Sequence, residues 1–208
     1  MKKSLTILIT LSALLMGLSG CATTQDTRFY LLSSLPQIPA GSQVKRTKLT
    51  LGIGPINIPE YLDRPQIVTR SSRNALRLAE FHNWAEQLKS NIVQVVAENL
   101  SILLTTDQVK LYPWPLPGSI DYQVVINVIQ FERNPAGNAV LLAHWSILNG
   151  RKQPVLTGRT AHITVRPQGR DYKSLAGALS EALADLSREI AGSIKSIKLK
   201  KSIKSKNQ

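Results

Sequence analysis

The run Tyr122-Gln123-Val124-Val125-Ile126-Asn127-Val128-Ile129-Gln130-Phe131 is almost unbroken in apolar and β-branched residues. That composition suits a strand covered on both faces. Asn134-Pro135-Ala136-Gly137-Asn138 follows as a turn, and Ala139 to Leu148 returns as its hairpin partner, with Trp145 as a large packing residue. Asn149-Gly150 opens a further turn towards Arg159 to Arg166. There Thr160, His162 and Thr164 alternate with Ala161, Ile163 and Val165, one wet face against one buried face. Three such strands in succession make a meander, so the sheet is expected to be mostly antiparallel.

Outward from this meander the pattern changes to helical. Tyr172, Leu175, Leu179, Leu183, Leu186, Ile190 and Ile194 share one face of a helix that begins near Asp171 and runs to Ile194 or beyond. Upstream, Phe81, Trp84, Ala85, Leu88, Ile92, Val95, Val96, Leu100 and Leu103 recur every three or four residues, which predicts a second long helix packed on the sheet. Asn83 is its expected N-cap, with Glu86 three residues on as in a capping box. Phe81 and Trp84 read as core anchors, the alternative being a ligand platform.

Shorter segments complete the sheet. Arg28 to Leu32, Leu49 to Ile56, Gln66 to Arg70, Ala75 to Ala79 and Val109 to Trp114 all have strand character, with Ser71 to Asn74 as a hairpin turn. Gly52 and Gly54 lack the third glycine and the following helix of a phosphate loop; a bulge or a close backbone approach accounts for them. Arg64, Arg70, Arg73 and Arg77 make the hairpin basic, either as solvated strand faces or as a contact surface for an acidic partner or lipid phosphate. The chain is thus expected to form one α/β (α+β) domain over residues 28–194, a mostly antiparallel sheet covered by two long helices. No internal repeat or linker divides it.

The first 21 residues decide where that domain works. Lys2 and Lys3, the uncharged run Leu5 to Leu18 and the small residues Ser19 and Gly20 form a secretory leader over residues 1–20. The run is shorter than the roughly 17–25 residues of a membrane span. Cys21 is the only cysteine of the chain, and Leu18-Ser19-Gly20-Cys21 resembles the lipobox of bacterial lipoproteins, in which the cysteine is acylated and becomes the first mature residue. An ordinary secreted protein with one stray thiol is the competing reading. Acyl chains contribute about 0.8 kcal/mol per buried methylene, so Cys21 would hold the protein on a membrane without crossing it. Ala22 stands where aspartate commonly retains such lipoproteins at the inner membrane, which favours the periplasmic face of the outer membrane. Residues 21–27 then form the lipidated cysteine and a tether of about 20 Å, short beside a body whose radius of gyration is roughly 16 Å.

Charge narrows the partners. The chain carries 26 basic and 13 acidic residues, a net +13. Lys195, Lys198, Lys200, Lys201, Lys204 and Lys206 crowd residues 195–208 with no acidic neighbour. An exported, tethered protein rarely meets nucleic acid, so lipid and glycan polyanions are the relevant ones. The basic C-terminal tail reads either as a frayed solvated end or as a contact for anionic lipid. His82, His144 and His162 stand alone, no G-x-S-x-G elbow occurs, and the carboxylates are scattered. No catalytic residue, metal or cofactor is implied, and a binding or assembly role is expected rather than catalysis.

Two further motifs carry a family resemblance. Pro59-Glu60-Tyr61-Leu62-Asp63-Arg64-Pro65-Gln66-Ile67-Val68-Thr69-Arg70, and then Glu80-Phe81-His82-Asn83-Trp84-Ala85-Glu86-Gln87-Leu88, together with Phe29-Tyr30-Leu31-Leu32, resemble the ABC-type transport auxiliary lipoprotein family. The resemblance implies an outer-membrane lipoprotein of an intermembrane phospholipid transport system, anchored by acyl chains. Its partner would be a mammalian-cell-entry-domain tunnel protein reaching from the inner membrane. It implies no enzyme activity. Tyr61, Asp63, Arg64, Pro65, Arg70 and Trp84 are the candidate partner-binding residues, with an architectural alternative in which Asp63 and Arg64 fix a turn and Trp84 fills the core. A structural or assembly lipoprotein of the envelope and a periplasmic lipid-binding carrier remain open, as does a homo-oligomeric state.

Overall fold

Strand β6 (Tyr122–Arg133) is the axis on which the other elements are hung. The computed structural model describes residues 25–37, 45–114 and 119–206, without the side chains of 204–206. Cys21 and the leader lie outside the described residues. Along one edge of β6, β7 (Ala139–Asn149) pairs antiparallel from Tyr122↔Asn149 to Arg133↔Ala139, and β8 (Pro154–Val165) continues the meander. Ala161 is buried while Thr160, His162 and Thr164 are exposed, so the alternation read in β8 holds.

The other edge of β6 is shared by two segments. Strand β2 (Leu51–Asn57) runs parallel to its first half, from Leu51↔Tyr122 to Asn57↔Asn127. The chain then leaves the sheet for a 3-10 turn, Glu60–Leu62, and returns as β3 (Gln66–Ser72), which meets the far end of β6 at Thr69↔Arg133. Strand β4 (Ala75–Trp84) pairs antiparallel with β3, the short β1 (Arg28–Tyr30) lies parallel to the end of β4, and β5 (Val109–Leu111) lies parallel to β2. The fold is α+β in character and its sheet mostly antiparallel by ladder length, with parallel pairings of β2 with β5 and β6, β1 with β4, and β3 with β6.

Helices α1 (Leu88–Leu104) and α2 (Tyr172–Lys206) pack against one another and on the sheet, α1 over β2 and β5, α2 over β6, β7 and β8. Leu100 and Val96 of α1, Leu183 and Ile190 of α2, and Val124, Leu141 and Ile147 of the sheet are fully buried in one cluster. Each such side chain contributes about 1.5–3 kcal/mol by leaving water. Among the described residues no helix is long and apolar enough to cross a membrane.

Two expectations are corrected. The helix predicted from Phe81 begins instead at Leu88, and Phe81, His82, Asn83 and Trp84 are the last four residues of β4. Asn83 pairs with Gln66 on one side and Phe29 on the other, so its backbone is committed to the sheet; Gln87 occupies the N-cap and makes no side-chain cap bond. The three- and four-residue spacing of Phe81, Trp84 and Leu88 spans the end of a strand and the start of a helix. Strand β5 stops at Leu111 rather than Trp114. The helix expected to reach Ile194 or beyond continues through Lys206, so the lysine-rich stretch is helical. Gly54, at φ +110°, stands beside the register shift between Ile53 and Ile56, and a Cβ on Gly52 would lie 2.7 Å from the Trp114 ring, so the bulge and the close approach are both present.

Candidate functional site

The detour between β2 and β3 is held by a buried carboxylate. Glu132, one residue from the end of β6, is 2% exposed. Arg70 of β3 donates from Nε to its Oε1 at 2.7 Å, the Tyr61 hydroxyl of the 3-10 turn donates to its Oε2 at 2.7 Å, and the Phe131 N–H approaches Oε2 at 3.3 Å. A lone buried carboxylate costs several kcal/mol, which makes these partners obligatory. The Arg70 guanidinium also lies 6.0 Å from the centroid of the Tyr61 ring and donates from Nη1 to the Arg73 carbonyl.

Burial, and then the Glu132 carboxylate that accepts its proton, raise the Tyr61 phenol above its ordinary value, so it remains a neutral donor across physiological pH. Burial acts to lower the Arg70 guanidinium, but the hydrogen bond and charge of Glu132 outweigh it and the net shift is upward. The triad therefore contains a permanently charged cation, a paired anion and a neutral phenol. Each side chain of the triad bonds another, so the arrangement is that of a lock.

The remaining candidate residues occupy different positions around this lock. Asp63 is exposed and terminates the 3-10 turn, its N–H donating to the Glu60 carbonyl; the Arg64 N–H donates to the Leu62 carbonyl. The turn is thus fixed by backbone bonds, and among the described residues Asp63 and Arg64 form no ion pair. Arg64 is half-buried with its Nε unbonded, and Asn83 Oδ1 is likewise buried and unbonded. Pro65 is exposed and its carbonyl accepts the Trp84 N–H at 2.7 Å. Trp84 is 5% exposed and belongs to the core cluster. The structure therefore gathers Tyr61 and Arg70 on Glu132, places Asp63, Arg64 and Pro65 on the adjoining surface, and sinks Trp84 beneath it.

Sequence reasoning missed the polar groups that tie the N-terminal segment down. Asn91 and Asn99 lie on the buried face of α1, where Asn91 Oδ1 accepts the Leu32 N–H and Asn99 Oδ1 accepts the Leu35 N–H, each at 2.7 Å. Ser180 Oγ on α2 accepts the Ser33 N–H. Two asparagines eight residues apart on an otherwise apolar helix face were the available signal, since buried amides require partners. At the start of the same segment the Tyr30 hydroxyl bonds His82 Nδ1 at 2.7 Å. His82 stacks on Tyr172 with ring centroids 4.2 Å apart, and the Arg133 guanidinium lies 5.4 Å from the centroid of the same Tyr172 ring while donating from Nη2 to the Asp171 carbonyl. The chain thus enters the fold beside the N-terminus of α2, next to the far end of β6.

Among the described residues no three His, Cys, Asp or Glu side chains converge to hold a metal. The sequence profile of the ABC-type transport auxiliary lipoprotein component matches residues 30–191. The intermembrane transport lipoprotein PqiC of Escherichia coli is 25% identical over 187 residues, covering 88% of this chain and 96% of that protein, and its Shigella flexneri counterpart matches equally. A crystal structure of a Xanthomonas campestris protein of the DUF330 family superposes with a TM-score of 0.68 at 18% identity over 85% of this chain and 99% of that one. A second crystal structure, of an uncharacterized protein, gives 0.67 at 20% identity over 82% and 99%.

Proposed function

Because the chain belongs to the ABC-type transport auxiliary lipoprotein family, we propose that it is the acyl-anchored outer-membrane docking subunit of an intermembrane phospholipid transport system. The observation that carries this reading is the near end-to-end correspondence with PqiC, an intermembrane transport lipoprotein. In this reading Cys21 holds the acyl chains on the periplasmic face of the outer membrane, and the protein is not an enzyme. A mammalian-cell-entry-domain tunnel protein rooted in the inner membrane brings its far end to it.

Geometry supports a docking role over a bridging one. Six residues separate Cys21 from Arg28, a reach of about 20 Å, and α2, the longest element, measures about 52 Å. A partner based in another membrane must supply the remaining distance. The rim formed by Asp63, Arg64 and Pro65 is the contact surface, held in shape by Tyr61 and Arg70 on Glu132 from below and backed by Trp84.

Cross-linking in intact cells followed by purification of this lipoprotein tests the reading. A tunnel-forming partner should co-purify, and Asp63→Lys with Arg64→Glu should reduce its yield several-fold while leaving the protein folded. Absence of such a partner, or an unmodified Cys21 thiol with the protein free in the periplasm, would overturn it.

A further inference from the structure

The opposite end of the molecule carries a second feature. Helix α2 lies antiparallel to β6, so that Tyr172 sits by Arg133 while Ile197 and Lys198 sit by Tyr122. At that far end a groove of about 720 Å³ opens between the C-terminal part of α2, the start of β6 and the turn between β7 and β8. Lys48, Arg151, Lys198 and Lys201 line it against one carboxylate, Asp121, which is already engaged by the Thr50 N–H at 2.8 Å. Ile120, Tyr122, Val155 and Ile197 supply an apolar floor.

The outer side of the same helix end is amphipathic. Lys195, Leu199 and Ile203 follow one another at four-residue intervals and so share a stripe. Leu199 is 64% exposed and Ile203 54% exposed. Ile194, 0% exposed, and the partly buried Ile197 fasten the helix to the body, so this stripe is not a packing face left over from the core. No acidic residue occurs after Glu189. Cations flanking exposed aliphatic side chains on a helix, beside a cationic groove with an apolar floor, are the combination that an anionic phospholipid surface satisfies: phosphate for the lysines, acyl boundary for Leu199 and Ile203. An acidic protein would satisfy the lysines and leave the aliphatic stripe in water.

We infer that the C-terminal end of α2, with the groove lined by Lys48, Arg151, Lys198 and Lys201, is a reversible docking site for an anionic phospholipid bilayer. It is distinct from the acyl anchor and at the other end of the body. The distance from Tyr172 to Lys198 along the helix is about 39 Å, more than the roughly 20 Å reach of the tether. An upright protein therefore presents this end away from the bilayer that holds its acyl chains. The inference does not depend on the transport reading, and a failure of the partner co-purification would leave it standing.

Vesicle capture tests it. The full chain is reconstituted into neutral phosphatidylcholine vesicles, its incorporation is checked by flotation, and labelled acceptor vesicles are added, either neutral or containing phosphatidylglycerol. Anionic acceptors should be captured and neutral ones not, with capture falling steeply from about 0.1 M to 1 M salt as the screening length shrinks from about 10 Å to 3 Å. Lys198→Glu with Lys201→Glu, both exposed positions, should weaken capture by about tenfold or more. Leu199→Ser with Ile203→Ser should weaken it several-fold at unchanged charge. Capture of neutral vesicles to the same extent, or of neither kind, would overturn the inference. So would binding to polyglutamate beads that matches anionic vesicles and ignores the Leu199 and Ile203 changes, an outcome that assigns the site to an acidic polypeptide.

Discussion

At the Tyr172 end of α2, Arg70 neutralises Glu132, Arg133 donates to the Asp171 carbonyl, and the Asp171 carboxylate accepts both the Ser174 N–H and its hydroxyl. At the Lys198 end, Lys48, Arg151, Lys198 and Lys201 share one groove with Asp121 alone. The two ends are joined by the same helix and the same strand, yet charge serves cohesion at one and is left unspent at the other. Paired charges hold the entry point of the chain and the rim of the 3-10 turn rigid. Among the described residues the four cations of the groove form no ion pair; like charges repel one another, and such a cost is tolerated where a ligand relieves it.

The comparison can be broken most directly at Arg70. Arg70→Met should strand the Glu132 carboxylate in the core and cost about 3–5 kcal/mol in urea unfolding. Adding Glu132→Leu to that variant should recover much of the loss, because two apolar side chains need no partners. A single Arg70→Met variant as stable as the parent would show that the lock does not hold this end.

Glycines sharpen the contrast at intermediate size. A Cβ on Gly150, beside the basic groove, would lie 2.2 Å from the Ile120 carbonyl oxygen, whereas one on Gly177, on the first half of α2, meets nothing within 4 Å. Gly150→Ala should therefore destabilise by about 1–3 kcal/mol as the main chain shifts. Gly177→Ala should stabilise by about 0.5–1 kcal/mol through helix propensity. Thermal melts of the two variants should move in opposite directions.

Acid separates the ends further. The backbone hydrogen bond from Ser174, followed by its side-chain bond, lowers the Asp171 carboxyl below the ordinary carboxylate value. A depressed folded-state value contributes stability that is fully present above the unfolded value of about 3.9 and is lost as pH falls through the folded one. Asp171→Asn should flatten that part of the acid limb of a stability–pH curve and leave neutral-pH vesicle capture unchanged. Smallest of all, Lys200→Gln at the basic end should alter stability by no more than about 0.5 kcal/mol, since Lys200 is exposed and surface substitutions change stability little. A larger loss in chemical denaturation would mean that this end is held by charge after all.

Much of the architecture was legible because burial imposes period two on strands and 3.6 on helices. The meander from Tyr122 to Arg166 and the helix from Asp171 announced themselves, and the Asn149 turn formed as expected, its Oδ1 accepting the Arg151 and Gln153 N–H groups. Phe81 to Trp84 misled for a physical reason: spacing records which side faces the core, not which backbone partner is available, and β1 and β3 supplied partners from 17 and more residues away. Of the candidate residues, Tyr61 and Arg70 were visible as types, but their common acceptor Glu132 looked like one scattered carboxylate among others. Only the return of β3 to the end of β6 brings the three together.

Residue chemistry along the chain determined the element types, the basic surplus and the concentration of lysine after Ile194, because each of these is a property of neighbours in sequence. Folding decided the mixed order of the sheet, the buried triad, and the placement of the chain's entry and its lysines at opposite ends of one long helix. Those arrangements depend on which distant segments compete successfully for the two edges of β6, and a linear pattern carries no record of that competition.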